Sequence, residues 1–495
     1  MLILLCTWQY NLSIRTMSSS SVSVKFRWGL TPSDPEQVPV LFVGQPKHLN
    51  ALTWNDVKSK LEPRVREERG LAAGPALAPR GARQAARAGQ DRARPAALRG
   101  RGHRGAYSRF GDECLSLAVA AVRVRNSQLV CRKRDVLASA VAVARSFPLY
   151  SARTSAATER TVSVEILLVE EAAQGTALLL GGSRFEACKV AKELGVASPT
   201  VIRGEELRER GMGGLYGVGK AAACPPALVV LSYSAPAAVA SVAWVGKGIV
   251  YDTGGLSIKA RSSMVGMKGD CGGAAAVLGA FELAVRARPS VDLHAVLCLA
   301  ENAVGPAATR PDDIHRLYSG RSVEINNTDA EGRLVLSDGV VYAARDLRAD
   351  TIVDVATLTG AQGTATGKFH AGVVSNRGRL ERLAVAAGLV AGDLAHALPF
   401  APELHFAELG SVVADMKNSV ADRNNAQPSC AALFILSHLG FEFPGDWLHV
   451  DMAAPAHCGE RATGYGVALL GVLFGAHSRC PLLQALAPGP ALLDR

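Results

Sequence analysis

Apolar and polar positions along this chain fall into short runs whose period switches between that of a strand and that of a helix. Residues 38–44 read as a strand and 54–61 as a helix, followed after a break by a helix around 136–146 and an alternating strand over 161–170. The pattern then tightens. It predicts a helix over 185–194, strands at 200–202, 228–232 and 249–251, a helix over 273–286, a strand at 293–300, a loop over 301–313, a strand at 323–326, a helix over 334–345 and a strand at 351–355. Strands alternating with helices predict an α/β fold: a domain with a largely parallel central sheet flanked by helices, preceded by a smaller α/β N-terminal domain. Parallel crossovers bring the loops at the strands' carboxyl ends to one edge. That edge would gather Asp252, Asp270 and Asp329 despite their separation in sequence.

A length of 495 residues exceeds one ordinary core, so two domains are expected. The expected division is a disordered start at 1–35, a small domain at 36–172 interrupted at 70–104, a connection at 173–212, a larger domain at 213–480 and a tail at 481–495. The interruption is almost all Ala, Arg, Gly and Pro, with eight arginines against one acid. It therefore supplies seven (eight minus one) of the overall net charge of +10, so the basic balance is local. It lacks the apolar content for a core, and no aromatic residue is interleaved for stacking on bases. A solvated linker thus ranks above a nucleic-acid tail. Residues 1–8 are apolar but too few to span a membrane, and no membrane partner is expected. Ten cysteines without a C-x-x-C pair speak against a zinc knuckle or a disulfide framework, and a reduced, cytoplasmic compartment fits.

Three stretches carry candidate chemistry. Gly214-x4-Gly219-Lys220 imitates a phosphate-binding loop, but Ala221 stands where a Ser or Thr must touch magnesium, so a plain Gly-rich loop before a strand is expected. Asn327-Thr328-Asp329-Ala330-Glu331-Gly332-Arg333-Leu334 sets two acids at i and i+2, on one side of an extended segment, just before a helix-forming run. By itself it reads equally as metal ligands or as acids favouring a helix's first turn. Upstream, Gly246-Lys247-Gly248 and Asp252-Thr253-Gly254-Gly255 lead to Lys259 and to Met267-Lys268-Gly269-Asp270. Two lysines and two aspartates in that glycine-rich frame, with a third Asp and a Glu downstream, are hard to account for as surface decoration.

Together these segments resemble the leucyl (cytosol) aminopeptidase family of two-metal exopeptidases. The Asn-Thr-Asp-Ala-Glu-Gly-Arg-Leu signature is present without a substitution, and the resemblance runs from about residue 213 to about residue 471. Through Arg310-Pro311-Asp312-Asp313-Ile314-His315 and Ala414-Asp415-Met416-Lys417-Asn418 it is most similar to the animal branch called probable aminopeptidase-like 1. The resemblance implies that 213–480 is a metallo-aminopeptidase catalytic domain and that the connection at 173–212 is shortened.

It also implies a ligand set: Asp252 and Glu331 bridging two divalent ions, zinc or manganese, with Asp329 completing one site and Asp270 and Lys247 the other. A lysine binds a metal only as the neutral amine, which adjacent dications and a dry pocket favour. Two such ions clamp a water and stabilise the charge formed as it attacks a carbonyl. Lys259 is assigned to the oxyanion, and Arg333 matches the family's seat for a bicarbonate that takes the water's proton. Met267 matches the family's pocket for the first side chain, so an apolar, leucine-like first residue of a peptide is expected. Thr357, Leu358, Thr359 and Gly360 follow a strand end and would form one wall of the cleft. The family's hexamer is carried over. His315, His449 and His457 lack paired ligand spacing and are expected to satisfy local hydrogen bonds, and Cys271 to be a packing residue. Two rivals stand beside this reading: a two-metal phosphoesterase, and a catalytically impaired aminopeptidase-like protein with a binding role.

Overall fold

The structure, a computed structural model, describes residues 187–459 and 461–489 together with five strands nearer the N-terminus. Two compact units are present, Met1–Gly181 and Gly182–Arg495. In the first, β1 (Tyr10–Ile14), β2 (Val22–Trp28), β3 (Val40–Gly44), β4 (Asn126–Cys131) and β5 (Arg160–Leu168) form one sheet in the order β1-β2-β5-β4-β3. Only β1 and β2 pair antiparallel; the other neighbours run parallel. β3 and β5 fall where the apolar pattern puts strands. β1 and β2 correct the expectation of a disordered start: Val22, Val24, Phe26 and Trp28 alternate with Ser23, Lys25 and Arg27, a period-two signal that the neighbouring serine run obscured. The expected helices at 54–61 and 136–146 and the insert at 70–104 lie outside the described residues.

The second unit is built on β6 (Thr200–Arg203), β7 (Ala227–Tyr233), β8 (Ser241–Asp252), β9 (Asp292–Asn302), β10 (Ile314–Arg316), β11 (Ser322–Glu324), β12 (Thr351–Ala356), β13 (Ala371–Ser375), β14 (Ala395–Ala397), β15 (Met416–Lys417) and β16 (Asp446–Asp451). Eight of these form a sheet in the order β14-β13-β16-β12-β8-β9-β7-β6. Its centre, β16-β12-β8-β9, is parallel throughout, while β13 and β7 join it antiparallel. β11 departs from expectation. It leaves the central sheet to pair with β10 and β15, because only Val323 of its three residues has a buried side to offer.

The principal helices are α1 (Gly213–Gly219), α2 (Gly272–Arg286), α3 (Gly332–Arg345), α4 (Gly360–Thr366), α5 (Gly378–Ala391), α6 (Gln427–Leu439) and α7 (Val467–Leu473). α1 corrects the reading of a Gly-rich loop. Its glycines would disfavour an isolated helix, but they let it lie against neighbouring backbone: a Cβ at Gly213 would stand 2.2 Å from Arg316 O, and one at Gly214 2.4 Å from Leu334 O. α3 is buried continuously from Gly332 to Ala343, against α1 and α6. α2 lies on the sheet at similarly short range, since a Cβ at Gly273 would fall 2.0 Å from Val355 O and one at Gly246 2.5 Å from Ala274 Cα. Adding one methyl at Gly273 must push α2 off β12, and overpacking of this kind costs about 1–3 kcal/mol. Gly273→Ala is therefore expected to lower the urea midpoint by that equivalent with an unchanged slope, and an unaltered midpoint would refute the close contact.

Candidate metal centre

β8 carries Lys247 inside the sheet and Asp252 at its end. Pairing with β9 is regular through Ile249, breaks, and resumes at Asp252 opposite Asn302, and such an irregularity re-aims the side chains that follow it. Lys247 is only 2% exposed, and glycines surround it: a Cβ at Gly332 would lie 2.7 Å from its Cε, and one at Gly273 2.9 Å from its backbone nitrogen. Asp270 follows the 3-10 turn Met267–Gly269, Asp329 sits in the loop before α3, and Glu331 is the N-cap position of α3. The tertiary fold brings all of these together.

Two ammonium groups are interleaved with four carboxylates. Lys247 Nζ lies 2.9 Å from Asp270 Oδ2 and 2.9 Å from Glu331 Oε1, and it donates to the Thr357 carbonyl at 3.0 Å. Lys259 Nζ lies 2.8 Å from Asp252 Oδ2 and 2.5 Å from Asp329 Oδ1. Oxygens of Asp252, Asp329 and Glu331 all come within 4.8 Å of one another. Burial works against the Lys247 ammonium, yet Asp270, Glu331 and Asp252 outweigh it and hold the group above its ordinary value. The same contest at Lys259 is won by Asp252 and Asp329. Glu331 is pushed up by burial, pulled down by Lys247 and pushed up again by Asp252 and Asp270, with a net upward result. Burial also raises Asp270 and Asp329 above their ordinary values.

With every acid ionised, the cluster would hold more acid than its lysines neutralise: two ammoniums minus four carboxylates leaves −2. Glu331 Oε2 is buried without a hydrogen-bond partner. Hard oxygen donors, one amine, an unpartnered oxygen and a net negative balance fit divalent cations. Beside them stands Arg333, buried, with Nε and Nη1 unpartnered. Burial presses its guanidinium down to about 10, which still leaves it charged at neutral pH. A buried cation with two free N–H groups is a seat for an anion.

The expected wall residues are tied to this centre unequally. Thr357 Oγ1 donates to Asp270 Oδ1 at 2.6 Å. Thr359 Oγ1 donates to Asp451 Oδ2 at 2.7 Å while capping α4 through Gln362 N at 3.1 Å. Leu358 is half-buried over Gly332, and Gly360 is exposed at the start of α4. Met267 is half-buried in the turn before Asp270. His315 hydrogen-bonds Thr309 Oγ1 at 3.0 Å, and His449 pairs with Asp354, in line with the expectation of local hydrogen bonding. Three buried polar residues went unnoticed in the sequence. Asn302 donates to Asp252 Oδ1 at 2.8 Å, Asp338 accepts from Leu215 N and Tyr318 N at 2.8 Å each, and Asp451 accepts from Leu358 N at 3.2 Å.

An α/β sheet whose loops collect acids and lysines into a buried, net-negative nest marks the class of metal-dependent enzymes. Residues 171–471 match the Cytosol aminopeptidase family, catalytic domain. The chain is 51% identical over 502 aligned residues, 95% of each chain, to "Probable aminopeptidase NPEPL1" of Mus musculus. Among solved structures it resembles the leucine aminopeptidase LAP1 of Caenorhabditis elegans, with a TM-score of 0.78 and 36% identity, covering 93% of this chain and 99% of that one. It also resembles the leucyl aminopeptidase of Trypanosoma brucei in complex with Bestatin, with a TM-score of 0.66 and 37% identity, over 75% of this chain and 78% of that one. The chain belongs to the cytosol aminopeptidase family, on the branch of the probable aminopeptidase-like 1 proteins, and is a metallo-aminopeptidase. The family match begins at residue 171, so it takes in the connection at 173–212, whose described part contains β6.

Cations entering the nest must displace the protons that its crowded acids and its lysine ammonium retain. Because these groups sit above their ordinary values without cations, binding should release protons and strengthen as pH rises. Zinc titration of metal-free protein by calorimetry, in buffers of different ionisation enthalpy, is expected to show net proton release and an affinity that rises from about pH 6.5 to about pH 8.5. A pH-independent affinity would contradict the charge balance.

Proposed function

We propose that this protein removes the N-terminal residue from peptides with two divalent cations, zinc or manganese, held by Lys247, Asp252, Asp270, Asp329 and Glu331. What carries the reading is the convergence of Asp252, Asp329 and Glu331 within 4.8 Å beside two lysines, in a nest whose acids outnumber its cations. When bound, such a pair activates a water near neutral pH and polarises the carbonyl it attacks.

The chain's own groups supply the rest. Asp252, paired with Lys259, and Glu331, paired with Lys247, would hold both cations, with Asp329 holding one of them and Asp270 and Lys247 the other. Lys247 is pinned by the Thr357 carbonyl, so loss of its proton leaves an amine already aimed at the acids. Lys259, whose side chain is 15% exposed, is held above its ordinary value by Asp252 and Asp329 in the absence of cations. It is placed to donate to the oxyanion that forms as the peptide carbonyl becomes tetrahedral. Arg333, with Nε and Nη1 unpartnered, would hold bicarbonate, which would supply a proton acceptor in place of a side-chain base. Met267 and Thr357 to Gly360 line the space for the first residue, and the half-buried thioether favours an apolar, leucine-like side chain. A cytoplasmic setting and a homo-hexamer complete the proposal. Both are carried over from the family resemblance. The described cysteines are all free, and no helix among the described residues is long and apolar enough to cross a membrane.

Purified protein loaded with zinc or manganese, with bicarbonate present, is expected to hydrolyse leucyl-p-nitroanilide and leave p-nitrophenyl phosphate intact. Chelator should abolish turnover, as should Asp252→Ala or Glu331→Ala. Lys259→Met should lower kcat by about 100- to 1,000-fold with a smaller change in KM, the usual cost of one oxyanion donor. Phosphate-ester turnover instead of amide turnover would favour the phosphoesterase. Full metal loading without turnover would favour a binding role.

A further inference from the structure

Asp252 reaches the metal nest from a strand end that one residue grips from two sides. Where β8 regains register with β9, Asn302 stands opposite it. The Asn302 carbonyl accepts from Thr253 N at 3.1 Å and from Thr253 Oγ1 at 2.6 Å. Its side-chain Nδ2 donates to Asp252 Oδ1 at 2.8 Å and to the Thr328 carbonyl at 3.1 Å. Gly254 N donates to the same Asp252 Oδ1 at 2.9 Å. One oxygen of Asp252 is thus occupied by two N–H donors, while the other, Oδ2, faces Lys259.

Thr328 extends the grip to the turn that carries Asp329. Its Oγ1 donates to Gly254 O at 2.6 Å and accepts from Ser257 N at 2.7 Å, and its own nitrogen donates to Ser257 Oγ at 3.1 Å. Gly255, at φ +62°, lets the turns close: a Cβ there would lie 2.9 Å from Thr328 Oγ1 and 3.0 Å from Asn302 Oδ1. Asn302 is 5% exposed, so its bonds are made without competition from solvent.

We propose that Asn302 is a positioning residue of the metal centre, resting on the two-cation reading above. Its amide takes Asp252 Oδ1 out of play, so that Asp252 presents Oδ2 alone, and it ties the Asp252 turn to the Asp329 turn at a fixed spacing. A neutral donor suits this task. It satisfies a carboxylate oxygen without neutralising it, so the negative charge that attracts the cations is kept, whereas a lysine or arginine here would cancel it. Hydrogen-bonded partners of metal ligands typically govern affinity by about 10- to 100-fold.

The test uses full-length Asn302→Ala and Asn302→Leu; the second keeps the branched shape without the donor. Zinc affinity is measured by chelator competition, thermal melting on the metal-free proteins, and kcat and KM on leucyl-p-nitroanilide. Both variants should bind zinc about 10- to 100-fold more weakly, a loss larger than any fall in melting of the metal-free protein accounts for, with a loss in kcat exceeding any change in KM at subsaturating zinc. Excess zinc should restore part of the rate. Wild-type binding matched by both variants would overturn this inference alone. A metal-free melting temperature that falls in step with affinity would make Asn302 a residue of the fold and overturn it too. Wild-type protein that binds no zinc would overturn the two-cation reading and this inference with it.

Discussion

The enclosure of charge at the carboxyl end of the parallel strands is the constraint on which the rest of this unit turns. A charge removed from water is tolerated only when an opposite charge and hydrogen bonds replace the solvent. Here the replacement is reciprocal. Lys247 is shared by Asp270 and Glu331, and Lys259 by Asp252 and Asp329. These carboxylates come from three separate stretches of chain, so satisfying the lysines fixes where β8, the turn before α2 and the loop before α3 must end. With every acid ionised the balance is still not neutral, and that shortfall suits the cluster to divalent cations.

Close backbone packing makes this enclosure possible. Lys247 lies between α3 and its own strand, and glycine stands where a Cβ would meet its side chain, at Gly332, and where β8 and α2 approach backbone to backbone, at Gly246 and Gly273. The same device seats α1 on the first turn of α3. From within α3, Asp338 then accepts the N–H groups of Leu215 and Tyr318, while burial pushes its carboxyl up to about 7 against those bonds. Asp451 performs a similar service on the other side, accepting from Leu358, Thr359 and Ala453 and so shaping the turn beyond β12. Buried carboxylates here organise loops by collecting backbone donors.

Much of this was legible in the order of residues. Lys247, Asp252, Asp270, Asp329 and Glu331 stood out because acids and lysines set between glycines at the ends of apolar runs seldom serve only to solvate a surface. The strands at β8, β9 and β12 and the helices α2 and α3 followed from period. Where the reading failed, packing overrode a local rule. α1 looked like a loop because glycines depress helix propensity, yet those glycines were the condition for its contact with α3. The strand expected at 323–326 formed, but it is short and pairs with β10 and β15 outside the central sheet. Asn302 and Asp451 were single polar residues at strand ends, indistinguishable in sequence from solvated ones.

Sequence by itself determined the kinds of group available and the alternation of elements that sends them to one edge of a sheet, since residue type and hydrophobic period are local properties. Only the tertiary structure decided which ammonium faces which carboxylate, that Arg333 is left with Nε and Nη1 unpartnered, and that Asn302 donates to one oxygen of Asp252. Those outcomes depend on burial and on distances between segments far apart in the chain. No local pattern encodes the dielectric surroundings or the approach of a partner that arrives from elsewhere in the fold.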